Sequence, residues 1–228
     1  MNLKSSLLVV PAVSAAILLA NAIPAGAADL EPLPIKMPAP TTKGTPEELP
    51  SGPNIEPPLE AGKTPKPFMA PKGVVNVAQG KKVTASLPST ISGNLEQVTD
   101  GKKEAFDDYV VEMKKGPQWI QIDLGQEYPV AAVAVWHDHR YVQAFRDVII
   151  QLSNDPDFTK DVVTLYNNDY DNSSGLGEGK DKEYFEQQFG RVIDGKGTKA
   201  RYVRSYTKGS TLSAFNCHTE IEVYALPK

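Results

Sequence analysis

The chain has 228 residues and a formal charge of −4 at pH 7, from 24 basic and 28 acidic side chains. With no basic stripe and no basic amphipathic helix, that balance argues against nucleic acid or an anionic membrane surface as a partner. Its one cysteine, Cys217, excludes an intramolecular disulfide, so any folded core has to stand on apolar burial.

The first element is MNLK followed by an apolar run from Leu7 to Ile23 and the small-residue exit Ala25-Gly26-Ala27. This is the pattern of a cleaved secretory signal peptide over residues 1–28, which predicts a secreted, periplasmic or cell-envelope protein. An uncleaved anchor is the competing reading, and Pro11, Ser14 and Asn21 interrupt the run against it. No cysteine stands at the cleavage point to take a lipid.

Residues 29–73 hold 12 prolines and a single aromatic residue, Phe68. Such a segment has too little apolar surface to offset its ordering entropy, so it reads as a disordered, proline-rich linker. The other 17 of the 18 aromatic residues lie beyond position 73, which places one folded domain over residues 74–228.

That domain opens at VVNVAQGKKVTAS, and VTDG at 98–101 marks a tight turn. The tract Lys102–Lys115 is polar and without period, as a long surface loop would be. In WIQIDLG, Ile120, Ile122 and Leu124 alternate with Gln121 and Asp123, the period of a half-buried strand. After the polar turn QEYP, VAAVAVW puts Val133 and Val135 on one face and Ala132, Ala134 and Trp136 on the other, small enough for a second sheet to approach. HDHRYVQAF spans 137–145, and Val148, Ile150 and Leu152 face inward in the strand that follows. DVVTLYN, RVI at 191–193, ARYVRSY at 200–206 and TEIEVYA at 219–225 complete the strands, with a polar loop over 168–182. Short strands with turn chemistry between them predict an all-β, antiparallel β-sandwich.

Taken together, VTDG, WIQIDLG, YPV, the strand ending in VW, FRDVIIQLSND, ARYVRSYTKG and EIEVYA resemble, in order, the discoidin or coagulation factor V/VIII type C domain, over residues 74–226. The resemblance implies a galactose-binding-like jelly roll of eight strands whose first strand pairs near the last, and binding rather than catalysis. It also implies a sugar site on the loops at one end, where a few His, Arg and Asn side chains and an aromatic face hold the ligand. HDHRYVQAFR offers His137, His139, Arg140, Tyr141 and Arg146, and Phe215, Asn216 and His218 could close the same pocket. Charge-assisted donors suit hydroxyls, and a flat ring suits the apolar face of a sugar. A structural ion pair of Arg146 with Asp147 or Asp123 remains open, as do solvated histidines. The resemblance further implies a structural calcium ion held by Asp100 and Glu220, with carbonyls from Gln97, Lys102 and Thr219.

An enzyme reading finds little material. GxSxG and HExxH are both missing, and GLGEGK lacks the ending and following helix of a phosphate loop. His137 and His139 with Cys217 or His218 could form a zinc site, although the spacing specifies nothing. Asn167, Asp169, Asp171 and Glu178 fall at calcium-loop spacing but lack the central glycine and flanking helices, and read as coincidence. The expected function is therefore non-catalytic binding of a glycan or glycoconjugate. The alternative is an adhesion or scaffold module for a protein or a lipid headgroup, the latter disfavoured by the charge on the loops. Cys217 reads as a small, partly buried hydrophobe.

Overall fold

The computed structural model describes residues 29–227, so the expected signal peptide lies outside the described residues. The strands are β1 Leu30–Pro32, β2 Met69–Pro71, β3 Val75–Asn76, β4 Lys82–Ala85, β5 Val111–Met113, β6 Gln118–His137, β7 Ile149–Ser153, β8 Val163–Asn167, β9 Arg191–Thr207 and β10 Asn216–Ala225. A single 3₁₀ turn, Leu95–Thr99, is the sole helical element among the described residues.

Strands β3 to β10 form one antiparallel sheet in the order β3-β10-β6-β9-β7-β8, with β4 added to β6 and β5 to β10. Two long strands fold this sheet into a sandwich. The first half of β6 lies between β4 and the second half of β9, while the second half of β6 lies between β10 and the first half of β9. WIQIDLG and VAAVAVW are therefore one bent strand, and RVI and ARYVRSY another. The bend is made by register shifts between Asp123 and Tyr128 and between Val130 and Ala132. Gly195 sits at this corner because a Cβ there would come within 2.3 Å of the Val130 carbonyl oxygen. As expected, β3 pairs with the end of β10. Strand β5 falls inside the tract taken for a loop.

Between the layers, Ile120, Ile122 and Leu124 meet Val133, Val135, Val148, Ile150, Leu152, Val203, Ile221 and Val223 in one continuous core. The alternation seen in the sequence is thus the inward face of each strand. The outward face of β6 is also covered. Ala132, Ala134 and Trp136 pack with Tyr224 from β10 and with Leu33, Ala70 and Val74 from the N-terminal segment.

What approaches those alanines is therefore this N-terminal strap and not a second sheet, which corrects the expectation of a free linker over residues 29–73. β1 and β2 close the strap into a two-stranded ribbon. Further along, Gly44 bridges Tyr141, and the Glu56 carboxylate takes both Arg191 guanidinium nitrogens at 2.9 and 2.7 Å. A segment this rich in proline builds no core of its own. Its extended backbone can still lie along a neighbour, and the apolar outer face of β6 and β10 supplies the surface to be covered.

Candidate functional site

The eight residues expected to form one sugar pocket do not share one. β6 continues through His137, and β10 begins at Asn216, so His137 and His218 stand opposite each other within the sheet. Both are fully buried. His137 Nδ1 lies 2.5 Å from Glu186 Oε1, and its ring stacks on Phe145 at 4.5 Å and tilts against His218 at 4.8 Å. Burial, and then the neighbouring His137, pushes the His218 imidazole well below its ordinary pKa.

His139 is buried too, between the Lys103 carbonyl at 2.8 Å and the Thr41 hydroxyl at 3.2 Å. The zinc reading fails with this arrangement, since His137 and His139 face different partners. Asn216 is equally structural: its amide nitrogen donates to the carbonyls of Lys114 and Gly116, and its oxygen accepts from Thr207 and Gly209. Arg140 is tied by Asp138 and Asp107, Tyr141 is exposed against Gly44, and Phe215 lies under Lys115. Burial pushes the Cys217 thiol up to about 12, which leaves it protonated and unreactive.

Arg146 is the exception. It borders a cavity of about 500 Å³ where the loop after β6 (Arg146, Asp147) meets the loop after β8 (Tyr170, Asp171, Ser173), Glu183, the loop after β9 (Lys208, Thr211) and strap residues Pro50–Ile55. The Arg146 side chain is exposed and makes no ion pair or side-chain hydrogen bond among the described residues; its charge is felt by Glu183. The ion pairs expected with Asp123 or Asp147 are taken by others: Arg201 holds Asp123 at 2.7 Å, and Lys208 approaches Asp147 at 3.8 Å. Burial raises the Glu183 carboxyl, and Arg146 opposes that rise. Tyr170 is 49% exposed.

Two of the lining acids, Asp147 and Asp171, belong to a cluster with the buried Asp169. Asp147, held at φ 52°, accepts the Ser173 and Ser174 hydroxyls at 2.8 and 2.7 Å, and Asp169 accepts the backbone N–H groups of the same two serines at 2.9 Å each. Burial raises the Asp169 carboxyl, while the hydrogen bond from Ser173 lowers that of Asp171. Carboxylate oxygens of Asp147, Asp169 and Asp171 lie within 4.8 Å of one another and could hold a metal ion. The spacing of Asp169 and Asp171, read from the sequence as coincidence, does place two carboxylates in this cluster, and the fold brings in the third, Asp147, from another loop.

Asp100 and Glu220, expected to hold calcium, do come together. The Glu220 carboxylate accepts the Gly101 N–H at 3.1 Å and is fully buried in β10, not solvated on an edge. Burial pushes its carboxyl up to about 9, and the nearby Glu222 and Asp100 add to the rise. A buried carboxyl in that position is neutralised by a proton or a cation, which fits a hard divalent ion. Asp100 accepts the Lys102 N–H at 2.8 Å and has the Lys102 ammonium at 3.9 Å. The Gln97 side chain is spent on Asn94 and Asp108, and the Thr219 hydroxyl on the His137 carbonyl, so any part these residues play falls to their carbonyls. Lys103 adds no free charge, because its ammonium is buried at 2.8 Å from Glu222.

An antiparallel sandwich with a mixed polar and aromatic cavity on its loops has the build of a β-sandwich binding module. Residues 97–205 match the F5/8 type C family in its NedA-like, galactose-binding form. No curated protein matches the chain. Solved structures with a similar fold include a CBM32 module of AlyQ in complex with 4,5-unsaturated mannuronic acid, 23% identical over 62% of this chain and 92% of that one, with a TM-score of 0.44. A chitosan-binding module from a Paenibacillus sp. IK-5 chitosanase/glucanase is 22% identical over 66% and 99%, with a TM-score of 0.44. A fucose binding module of Streptococcus pneumoniae is 19% identical over 67% and 99%, with a TM-score of 0.46. Among the described residues, no helix is long and apolar enough to cross a membrane.

Proposed function

We propose that the protein is an exported, non-catalytic binding module that takes a sugar residue of a glycan in the cavity between Arg146, Tyr170, Glu183 and Lys208. The observation that carries this reading is Arg146, exposed and without an ion pair among the described residues, lining one cavity with the exposed Tyr170 and the acids Asp147, Asp171 and Glu183. Hydroxyl-rich ligands need donors and acceptors together with one flat apolar face, and this wall supplies all three. The lining carries three acids, Asp147, Asp171 and Glu183, against two cations, which favours a neutral sugar over a polyanionic one. The family's galactose-binding description supports the same class of ligand.

On a glycan array followed by calorimetry on the hits, Arg146→Ala should weaken binding about tenfold to a hundredfold, the worth of a charge-assisted hydrogen bond. Tyr170→Ala should weaken it as well. Both side chains are exposed, so the melting temperature should stay within a degree or two of wild type. Unchanged affinity in both variants would remove the cavity as the site.

Export is part of this reading. Protein recovered from outside the cytoplasm should begin at Ala28 or Asp29 by intact mass. An N-terminus at Met1 in that fraction would refute cleavage. Within the same reading, Asp100 and Glu220 hold a structural calcium ion that ties the VTDG turn to the last strand.

A further inference from the structure

We infer that strap residues Pro50–Ile55 are a working wall of the sugar site, so that the binding unit is the sandwich together with its N-terminal strap. The inference rests on the cavity being the sugar site, and goes beyond it by assigning specificity to a segment that lies outside the residues matched to the family.

Three observations carry it. First, the cavity has two sides from different parts of the chain: Arg146, Tyr170 and Lys208 come from the sandwich loops, and the facing residues come from the strap. The strap residues therefore supply part of the lining of the concavity. Second, the wall is fixed at its C-terminal end by backbone and side chain together. The Glu183 N–H donates to the Asn54 carbonyl at 2.9 Å, and the Glu56 N–H donates to the Glu183 carbonyl at 2.8 Å, so the strap pairs with a residue that itself lines the cavity. Just beyond, the Glu56 carboxylate takes Arg191 in a two-pronged ion pair, and the guanidinium lies 4.8 Å from the centre of the Tyr184 ring. Upstream, the Lys43 N–H donates to the Arg140 carbonyl, so the segment is held on both sides of the wall. Third, the sequence of the wall, PSGPNI, has two prolines that narrow its backbone freedom and two polar residues, Ser51 and Asn54, that line the cavity. A wall ordered before binding spares the ligand the entropy of ordering it, and its contour limits which sugars fit.

The test uses the full chain, with the array glycans that bind wild type as probes. Glu56→Arg and Arg191→Glu should each weaken binding about tenfold and admit glycans that wild type rejects, because each releases the wall; the doubly exchanged Glu56→Arg/Arg191→Glu protein should recover most of the affinity. Rescue by the exchange separates a positioning role from a loss of folding, since a merely unfolded Arg191→Glu protein would not recover. Ser51→Trp, a change on the wall itself, should alter the array profile while leaving the melting temperature in place. If Arg146→Ala abolishes binding while the Glu56, Arg191 and Ser51 variants keep wild-type affinity and profile, the strap is only a cover and the inference falls with the sugar site intact. If Arg146→Ala changes nothing, or wild type binds no glycan on the array, the sugar reading fails and this inference fails with it.

Discussion

Trp136→Ala should cost about 3–5 kcal/mol of stability, the range for deleting a buried tryptophan. The indole is completely buried where strap and sandwich meet, packed with Ala132, Ala134, Tyr224, Leu33, Ala70 and Val74. Its Nε1–H donates to the Gln188 carbonyl at 3.0 Å, and Gly190 lies so close that a Cβ there would come within 2.5 Å of the ring. The truncation therefore opens a cavity, takes the donor from the part-buried Gln188 carbonyl and removes the largest side chain beneath the strap. The loss should be uneven. In hydrogen exchange, backbone amides of residues 29–73 should lose protection before those of β6 and β9, because the strap's apolar contacts concentrate on this cluster while the sandwich keeps its separate core. A denaturant midpoint shift worth under about 1 kcal/mol, or unaltered strap protection, would show that the strap is held elsewhere.

Glu220 should make stability depend on pH and calcium together. Its carboxyl is pushed up to about 9 in the folded protein by burial and by Glu222 and Asp100, whereas in the unfolded chain it has the ordinary value of 4.5. The folded state thus holds a proton that the unfolded state releases. The stability this contributes is fully present below the unfolded value and is lost as pH rises toward about 9. At neutral pH the metal-free protein should have lost roughly 3 kcal/mol from this one group. Calcium bound between Asp100 and Glu220, as proposed, would take the place of the proton, so millimolar calcium should restore the melting temperature and flatten its fall across that range. Glu220→Gln should abolish both the pH slope and the calcium response, and Asp100→Ala the calcium response alone. Calcium that fails to raise the melting temperature of chelator-treated wild type at neutral pH would exclude the cation. A calcium response retained in Glu220→Gln would move it to another site, with Asp147, Asp169 and Asp171 the next to replace.

The class of fold was already visible in the order of residues along the chain. Alternation in Ile120, Ile122 and Leu124 and in Val148, Ile150 and Leu152 is a local signal: successive side chains of a strand point to opposite faces, and the apolar set must be buried. The ordered run of strand motifs carried the resemblance to the F5/8 type C family, and with it the expectation that the VTDG turn lies against Glu220, where the Gly101 N–H now donates to its carboxylate. Tertiary structure decided the rest. His137 and His218 look like loop residues in sequence, and whether a polar side chain at a strand end meets solvent or a neighbouring strand is set by long-range pairing; here β10 lies against β6 and takes both inside. Composition could show that residues 29–73 build no core of their own. It could not show that this segment is what covers the outer face of β6 and β10, because that face is completed only when Tyr224 of β10 is set beside Ala132, Ala134 and Trp136 of β6, far away in sequence. The cavity is of the same kind. Arg146, Tyr170, Glu183, Lys208 and Pro50–Ile55 come from five separate parts of the chain, and only the closing of the sandwich, with the strap laid across it, sets them around one space.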